Sequence, residues 1–330
     1  MAGMRDDLKE RFKVADEENT CVVPCSSRDA QRLRRAYKRG EIISPAPQVY
    51  APHEMWERLK PLERESVTIR ALSELHPDWV FAGPSAAIVY GLYVSYRLMG
   101  KTYVATDRKA HSRSNNYLVR TIVKDDEINH VEGVPVTSLV RTAYDCMRQA
   151  DFRAGLSIAD STLRVSGMDC ESLVEALKKY DYRYPGHKRA LGIAELANGL
   201  SENGGESTAR AVMYEQGFMI PTLQKEVFDP IDPSEPYRVD FYWQLPGVNV
   251  AGELDGREKY SNPVMTGGRN AIEVLADERL RESRLTGSKD VDKVMRFSFS
   301  DVVNTKKFSR LLTGFGIPGG YQIPWVAKCP

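Results

Sequence analysis

A chain of 330 residues is longer than one ordinary domain, so two or three domains are expected. Its 42% apolar and 28% charged residues are the proportions of a globular protein with real cores, not of a disordered or fibrous chain. Lys and Arg number 46 against 45 Asp and Glu, a formal net charge of +1. That excludes a polycation, so any nucleic-acid surface has to come from local clustering. The N-terminus turns charged after Met-Ala-Gly-Met without an apolar run, so secretion is not expected and the protein reads as cytoplasmic. Five cysteines are too few and too scattered for a disulfide framework. Cys21 and Cys25 lie close together, but no second Cys or His pair stands at ligand spacing, so no zinc centre is expected.

The first segment, residues 1–55, is short and basic. Ser26 and Ser27 can cap a helix that runs through "RDAQRLRRAYKRGE". Leu33, Ala36 and Tyr37 recur at helical spacing, surrounded by Arg28, Arg32, Arg34, Arg35, Lys38 and Arg39, and Gly40 supplies the stop. "IISPAPQVYAP" then suits a small β-wing. A basic helix followed by a wing is how winged helices meet DNA, with Arg and Lys on the phosphates. The alternative is a solvated amphipathic helix.

Residues 56–199 read as a mixed α/β middle region. Leu62 to Leu75 and Ala150 to Leu163 carry helical periodicity, and "KTYVATD", "YLVRTIV" and "GVPVT" read as short strands. Trp79 to Tyr96 has no charge until Arg97, yet Gly83, Pro84, Ser85 and Gly91 make it a buried helix after a strand or turn, and no membrane partner is expected. Asp145 and Asp160 sit within helical patterns as cap or salt-bridge residues. No phosphate loop, nucleophile with a base, or paired histidines stands out here.

Residues 200–330 form the third segment. The Gly-, Ser- and Asn-rich "ANGLSENGGESTAR" marks the boundary and leads into a helix from about Glu206 to Gln216, ended by Gly217. Two strands follow, joined by a "QLPG" hairpin. Alternation in "YRVDFYW" puts Val239, Phe241 and Trp243 on one face and Asp240 on the other. In "VNVAGELDG" it separates Val248, Val250, Gly252 and Leu254 from Asn249, Ala251, Glu253 and Asp255. With both apolar faces toward one core, Asp240, Glu253 and Asp255 share a side. Gathered carboxylates repel unless a cation compensates, and Mg²⁺ or Mn²⁺ prefers such oxygens. Such an ion activates water and polarises a phosphodiester, and Lys259 just beyond could steady the developing charge. The alternative is the polar outer face of a half-exposed hairpin.

From Glu206 to Leu312 the order of elements resembles the PD-(D/E)XK nuclease superfamily, in the branch of the very-short-patch-repair endonucleases. The matching pieces are the helix with Glu206 and Arg210, the strand with Gln224, "RVDFYW" with Asp240, "GELDGREKY" with Glu253, Asp255 and Lys259, the basic helix "ERLRESRLTG", and the strand "VMRFSFSD". The resemblance implies a restriction-endonuclease-like domain, a central mixed sheet flanked by helices. It implies a metal held by Asp240 and Glu253, Glu206 completing the acidic cluster, and Lys259 and Gln224 positioning water. It also implies that Arg279, Arg281 and Arg284 face DNA phosphates or brace the core. Two departures stand out: Asp255 occupies the place of the name-giving lysine, and Val239 that of the proline.

The first two-thirds resemble, more loosely, proteins with an AbiEi-type antitoxin N-terminus. "RRAYKRGEIISPAPQVYAP" matches the end of their winged helix, "GPSAAIVYGL" their central helix, and "GVPVTSLVRTAYDCMR" the segment after it. The winged helix looks shortened, because few residues precede Ser26. The chain is therefore expected to be α/β, α+β overall: a short winged-helix-like N-terminus, a mixed middle and the nuclease-like C-terminal domain. Its implied partner is DNA, with a cognate toxin or defence-system partner in the antitoxin case. Two functions stay open: a metal-dependent endonuclease, and an antitoxin-like transcriptional regulator in which the nuclease fold is a scaffold.

Overall fold

The computed structural model describes residues 6–107, 117–124, 127–231, 234, 236–255, 280 and 283–322. The chain is α+β, built of short helices and small sheets, and divides into two compact units, Met1–Cys146 and Met147–Pro330. The division falls inside the segment read as the middle region. No helix among the described residues is long and apolar enough to cross a membrane.

The first unit opens with α1 (Asp6–Glu18) and α2 (Ser27–Lys38), then a hairpin of β1 (Ile43–Ala46) and β2 (Val49–Ala51). Ser26 caps α2 by accepting the Asp29 N–H, as its position suggested. Leu8, Phe12 and Ala15 of α1 meet Leu33 and Ala36 of α2 in one core with Ile42 and Tyr50, and a bridge between Val22 and Tyr50 ties the hairpin in. α3 (His53–Arg58), α4 (Pro61–Leu75) and α5 (Gly83–Val89) follow, with α5 buried as expected of the uncharged stretch. β3 (Thr102–Thr106) pairs in parallel with β4 (Leu118–Ile122), and β5 (Ile128–Val131) pairs antiparallel with β6 (Val134–Thr137). Phe81 bridges to both Val104 and Val136, joining the two pairs. In α6 (Leu139–Met147), Arg141 Nε donates to Asp145 at 2.8 Å, the salt-bridge role expected of Asp145.

The second unit begins with α7 (Phe152–Ser166), α8 (Cys170–Lys178) and α9 (His187–Ala194). Next comes α10 (Gly204–Glu215), started by Asn203 and ended by the left-handed Gly217. α10 lies against α7, and two ion pairs fix it there: Arg153 to Glu215 and, fully buried, Arg210 to Asp160. A four-stranded mixed sheet follows in the order β10-β9-β8-β7. β7 (Thr222–Val227), β8 (Tyr237–Leu245) and β9 (Val248–Asp255) run antiparallel in succession, and β10 (Lys293–Ser298) lies parallel to β9. Helices α11 (Phe299–Val303) and α12 (Thr305–Gly314) close the unit.

Both faces of this sheet are covered, which explains why its middle strands are apolar with little alternation. One face carries Leu223, Phe241, Trp243, Val250, Met295 and Phe297 against Ala209, Val212 and Met213 of α10 and Phe308 and Leu312 of α12. The other carries Val227, Val239, Tyr242 and Ala251 against Leu285 and Val291. Gly252 is required by the first face, because a Cβ there would stand 2.9 Å from the Trp243 ring.

The expected single apolar face of β8 is corrected by this packing. Val239 packs with Tyr242, on the side opposite Phe241 and Trp243. Gln224 of β7 has φ of 50°, a left-handed conformation, and the pairing passes from Leu223↔Phe241 to Lys225↔Val239 with Gln224 and Asp240 between. A left-handed residue interrupts the alternation of its own strand, and Leu223 and Val227 of β7 accordingly pack on opposite faces of the sheet.

Candidate functional site

The ladder between β8 and β9 runs from Leu245↔Val248 to Phe241↔Gly252. The pairing ends there, one residue short of Asp240 on β8 and of Glu253 on β9. There the strands part: β8 continues beside β7, and β9 continues beside β10. At this fork Asp240 Oδ2 accepts the Leu254 N–H at 2.9 Å, so its carboxylate lies against the peptide that joins Glu253 to Leu254. Glu253 is buried, with 8% of its surface exposed. It takes the face of Ala251, since Val250 and Leu254 pack on the other.

Glu206 approaches from the first turn of α10. Its Oε2 accepts the Glu202 N–H at 2.7 Å and the Gln224 side-chain amide at 3.3 Å, and its Oε1 accepts the Asn203 amide. Burial, together with the negative charges of Asp240 and Glu202, outweighs these donors and pushes its pKa up to about 7. α10 and β7 therefore bring Glu206 and Gln224 into direct contact, with Asp240 close enough for its charge to be felt.

Asp255 has a different neighbourhood. Arg296, which stands beside Glu253 in the β9–β10 register, turns its guanidinium onto Asp255, with Nε 3.1 and 3.2 Å from the two carboxylate oxygens. The place of the name-giving lysine is thus an acid held by an arginine. Arg284 donates to the Tyr237 hydroxyl at 3.2 Å and braces the sheet there. Lys259, Arg279 and Arg281 lie outside the described residues.

Among the described residues, no group of three or more His, Cys, Asp or Glu is set to hold a metal ion. Mg²⁺ commonly binds through one or two carboxylates plus water and substrate oxygens. Asp240 and Glu253 are hard oxygen donors on neighbouring strands, and Glu206 of α10 is near enough to Asp240 for that charge to raise its pKa. That donor chemistry fits such an ion.

In the first unit, the basic residues of α2 divide by partner. Arg32 lies 3.6 Å from Asp7, and Arg39 donates to Glu41 at 2.8 Å. Arg28, Arg34, Arg35 and Lys38 are exposed along the helix, beside the hairpin. Sequence reading had not singled out Arg296. Its signal was the single cation in "VMRFSFS", and only the parallel pairing with β9 reveals its neighbour.

No protein-family model matches the chain. Two curated relatives come from Mycobacterium tuberculosis: "Uncharacterized protein Rv2248" of strain ATCC 25618 / H37Rv and "Uncharacterized protein MT2308" of strain CDC 1551 / Oshkosh. Each is 30% identical over 137 residues, 41% of this chain and 48% of the relative. The chain thus spans about half the length of the curated relatives it matches. The solved structure titled "Crystal structure of RV2827C protein from Mycobacterium tuberculosis" overlaps 62% of this chain and 80% of its own at 11% identity, with a TM-score of 0.35. A score that low does not define a shared fold.

Proposed function

We propose that this is a DNA-binding protein whose second unit carries a metal-dependent phosphodiesterase centre at Asp240 and Glu253. The observation that supports the reading is Asp240, whose carboxylate accepts the Leu254 N–H just past the last β8–β9 pair, next to the buried Glu253 in β9. Asp240 and Glu253 would hold the cation, and Glu206 and Gln224 would line its approach from α10 and β7. When bound, Mg²⁺ would supply charge to polarise a phosphodiester and lower the pKa of a water. Lys259 is the candidate to steady that water. The exposed arginines of α2 would hold the duplex through its phosphates. Supercoiled plasmid incubated with protein and Mg²⁺ or Mn²⁺ is expected to be nicked or linearised, with the rate falling at least a hundredfold, on the order of a lost metal contact, in Glu253→Ala. Equal background from wild type and variant would end the enzymatic reading.

The ion pair between Asp255 and Arg296 favours a second reading, a regulator of the antitoxin kind that binds DNA with an idle centre and answers to a toxin or defence-system partner. DNA binding unchanged by EDTA, without cleavage, would support it. Both readings share one expectation. Arg34→Glu with Arg35→Glu should weaken DNA binding and flatten its dependence on log salt by about 2, as expected for two lost phosphate contacts. Retention on a salt-graded DNA column measures this, and an unchanged profile removes α2 from the interface.

A further inference from the structure

The first unit holds a cavity of about 550 Å³ that neither the acidic fork nor the basic helix uses. That volume is within the range of small-molecule sites. One wall is the turn of the β1–β2 hairpin, including Gln48, and the others come from α3, α4 and the starts of β3 and β4. Aromatic surface lines it: Trp56, Trp79 and Tyr117, with the Trp79 ring stacked on His76 at 3.9 Å and 12° between planes. Lys101 supplies a cation to the lining.

Glu65 is the single acid of this lining. Glu65 is half-buried, and its Oε1 accepts the Gly100 N–H at 3.1 Å. Burial pushes the Glu65 pKa up, and the Gly100 N–H offsets only part of that. A carboxylate lining a cavity and held by one backbone donor has acceptor capacity left for a ligand that donates hydrogen bonds.

Among the bases of nucleic acids the choice is narrow. Guanine presents N1–H and N2–H side by side, two donors that one carboxylate can accept together. Adenine and cytosine set a ring-nitrogen acceptor beside the amino group, and uracil and thymine flank their N–H with two carbonyls. Each of these turns a lone pair toward Glu65. Aromatic walls suit the flat faces of any base, since stacking tolerates base identity.

We propose that this cavity binds a guanine base, recognised by Glu65 and stacked on its aromatic walls, with Lys101 toward the phosphate of the nucleotide. The base arrives either as a free nucleotide or as an unpaired guanine of a bound strand. The proposal is independent of the acidic fork.

The test titrates the full chain with guanosine 5′-monophosphate and adenosine 5′-monophosphate, read by tryptophan fluorescence. A second arm uses short single-stranded oligonucleotides that differ by one guanine or adenine. Guanine is expected to bind at least about tenfold more tightly than adenine in one arm or both, the size of a charge-assisted hydrogen bond. The arm that shows the preference identifies the source. Glu65→Gln keeps an acceptor for Gly100 and should erase the preference. Tyr117→Ala, at a side chain that is 49% exposed and outside any core, should weaken both ligands alike. No binding of either base below about 1 mM, equal binding, or a preference that survives Glu65→Gln overturns the proposal.

Discussion

Replacing Arg210 with Ala should cost the second unit about 3–5 kcal/mol, the largest loss expected from any single change outside a large core side chain. Arg210 and Asp160 are 2% and 0% exposed at the side chain, and their oxygen and nitrogen are 2.6 Å apart. Arg210 also donates to the Leu196 carbonyl at 2.7 Å, and Asp160 accepts the Asn198 N–H at 2.7 Å. The pair therefore fastens α7, α10 and the connection between α9 and α10 at one point. Burial pushes the pKa of Asp160 up, while Arg210, the Asn198 N–H and the Ser207 and Arg210 hydrogen bonds pull the other way. Removing the cation leaves a carboxylate in a dry site with too few donors, so the penalty is that of an unpaired buried charge and not of one hydrogen bond. Arg210→Met combined with Asp160→Asn removes both charges, keeps a carbonyl for Asn198, and should recover most of the loss. Urea unfolding at neutral pH, followed at the buried Trp243, measures all three variants. A cost below about 1 kcal/mol for Arg210→Ala would mean that the pair is hydrated.

How much of this was legible in the sequence depends on how far apart the cooperating residues stand. α2 was readable because its cap, its apolar spacing and its glycine stop are all local. So were the "QLPG" hairpin, the end of α10 at Gly217, and most strands of the first unit. α1 is marked only by Leu8, Phe12 and Ala15 at helical spacing within a charged run, a weaker signal than the capped and glycine-stopped α2. The acidic fork was half readable. The two strands and the hairpin that joins them were readable, but the face of Val239 was not, since Val239 packs with Tyr242 and not with Phe241 and Trp243. The partners in the ion pairs were not readable, even where a salt-bridge role was, as at Asp160. Arg296 and Asp255 meet only because β10 returns parallel to β9, 41 residues later, and Arg210 meets Asp160 across 50 residues. The aromatic cavity shares that character, for its walls come from five separate elements.

Glu206 gives the expected pH signature. Its pKa is pushed up to about 7 from the ordinary carboxyl value of 4.5, and its residue surface is 2% exposed. At pH 4 the carboxyl is protonated in both folded and unfolded chains and contributes nothing. As pH rises past 4.5 the unfolded chain releases its proton while the fold retains it, and stability falls by about 1.4 kcal/mol per pH unit. The fall levels off above pH 7, when the folded carboxyl ionises too, at a total on the order of 3 kcal/mol. This is the reverse of an ion-paired carboxylate such as Asp301. Lys307 and the Ser298 backbone hold Asp301 down to about 2, so its contribution is present at neutral pH and is lost in acid. Glu206→Gln cannot ionise, so the difference in unfolding free energy between variant and wild type should grow by about 2–3 kcal/mol between pH 5 and pH 8. Subtracting the two curves removes the other titrating groups, because they are common to both proteins. A difference that stays flat across that range would mean that Glu206 is ionised throughout. The three donors on its oxygens would then outweigh burial and the neighbouring charge of Asp240.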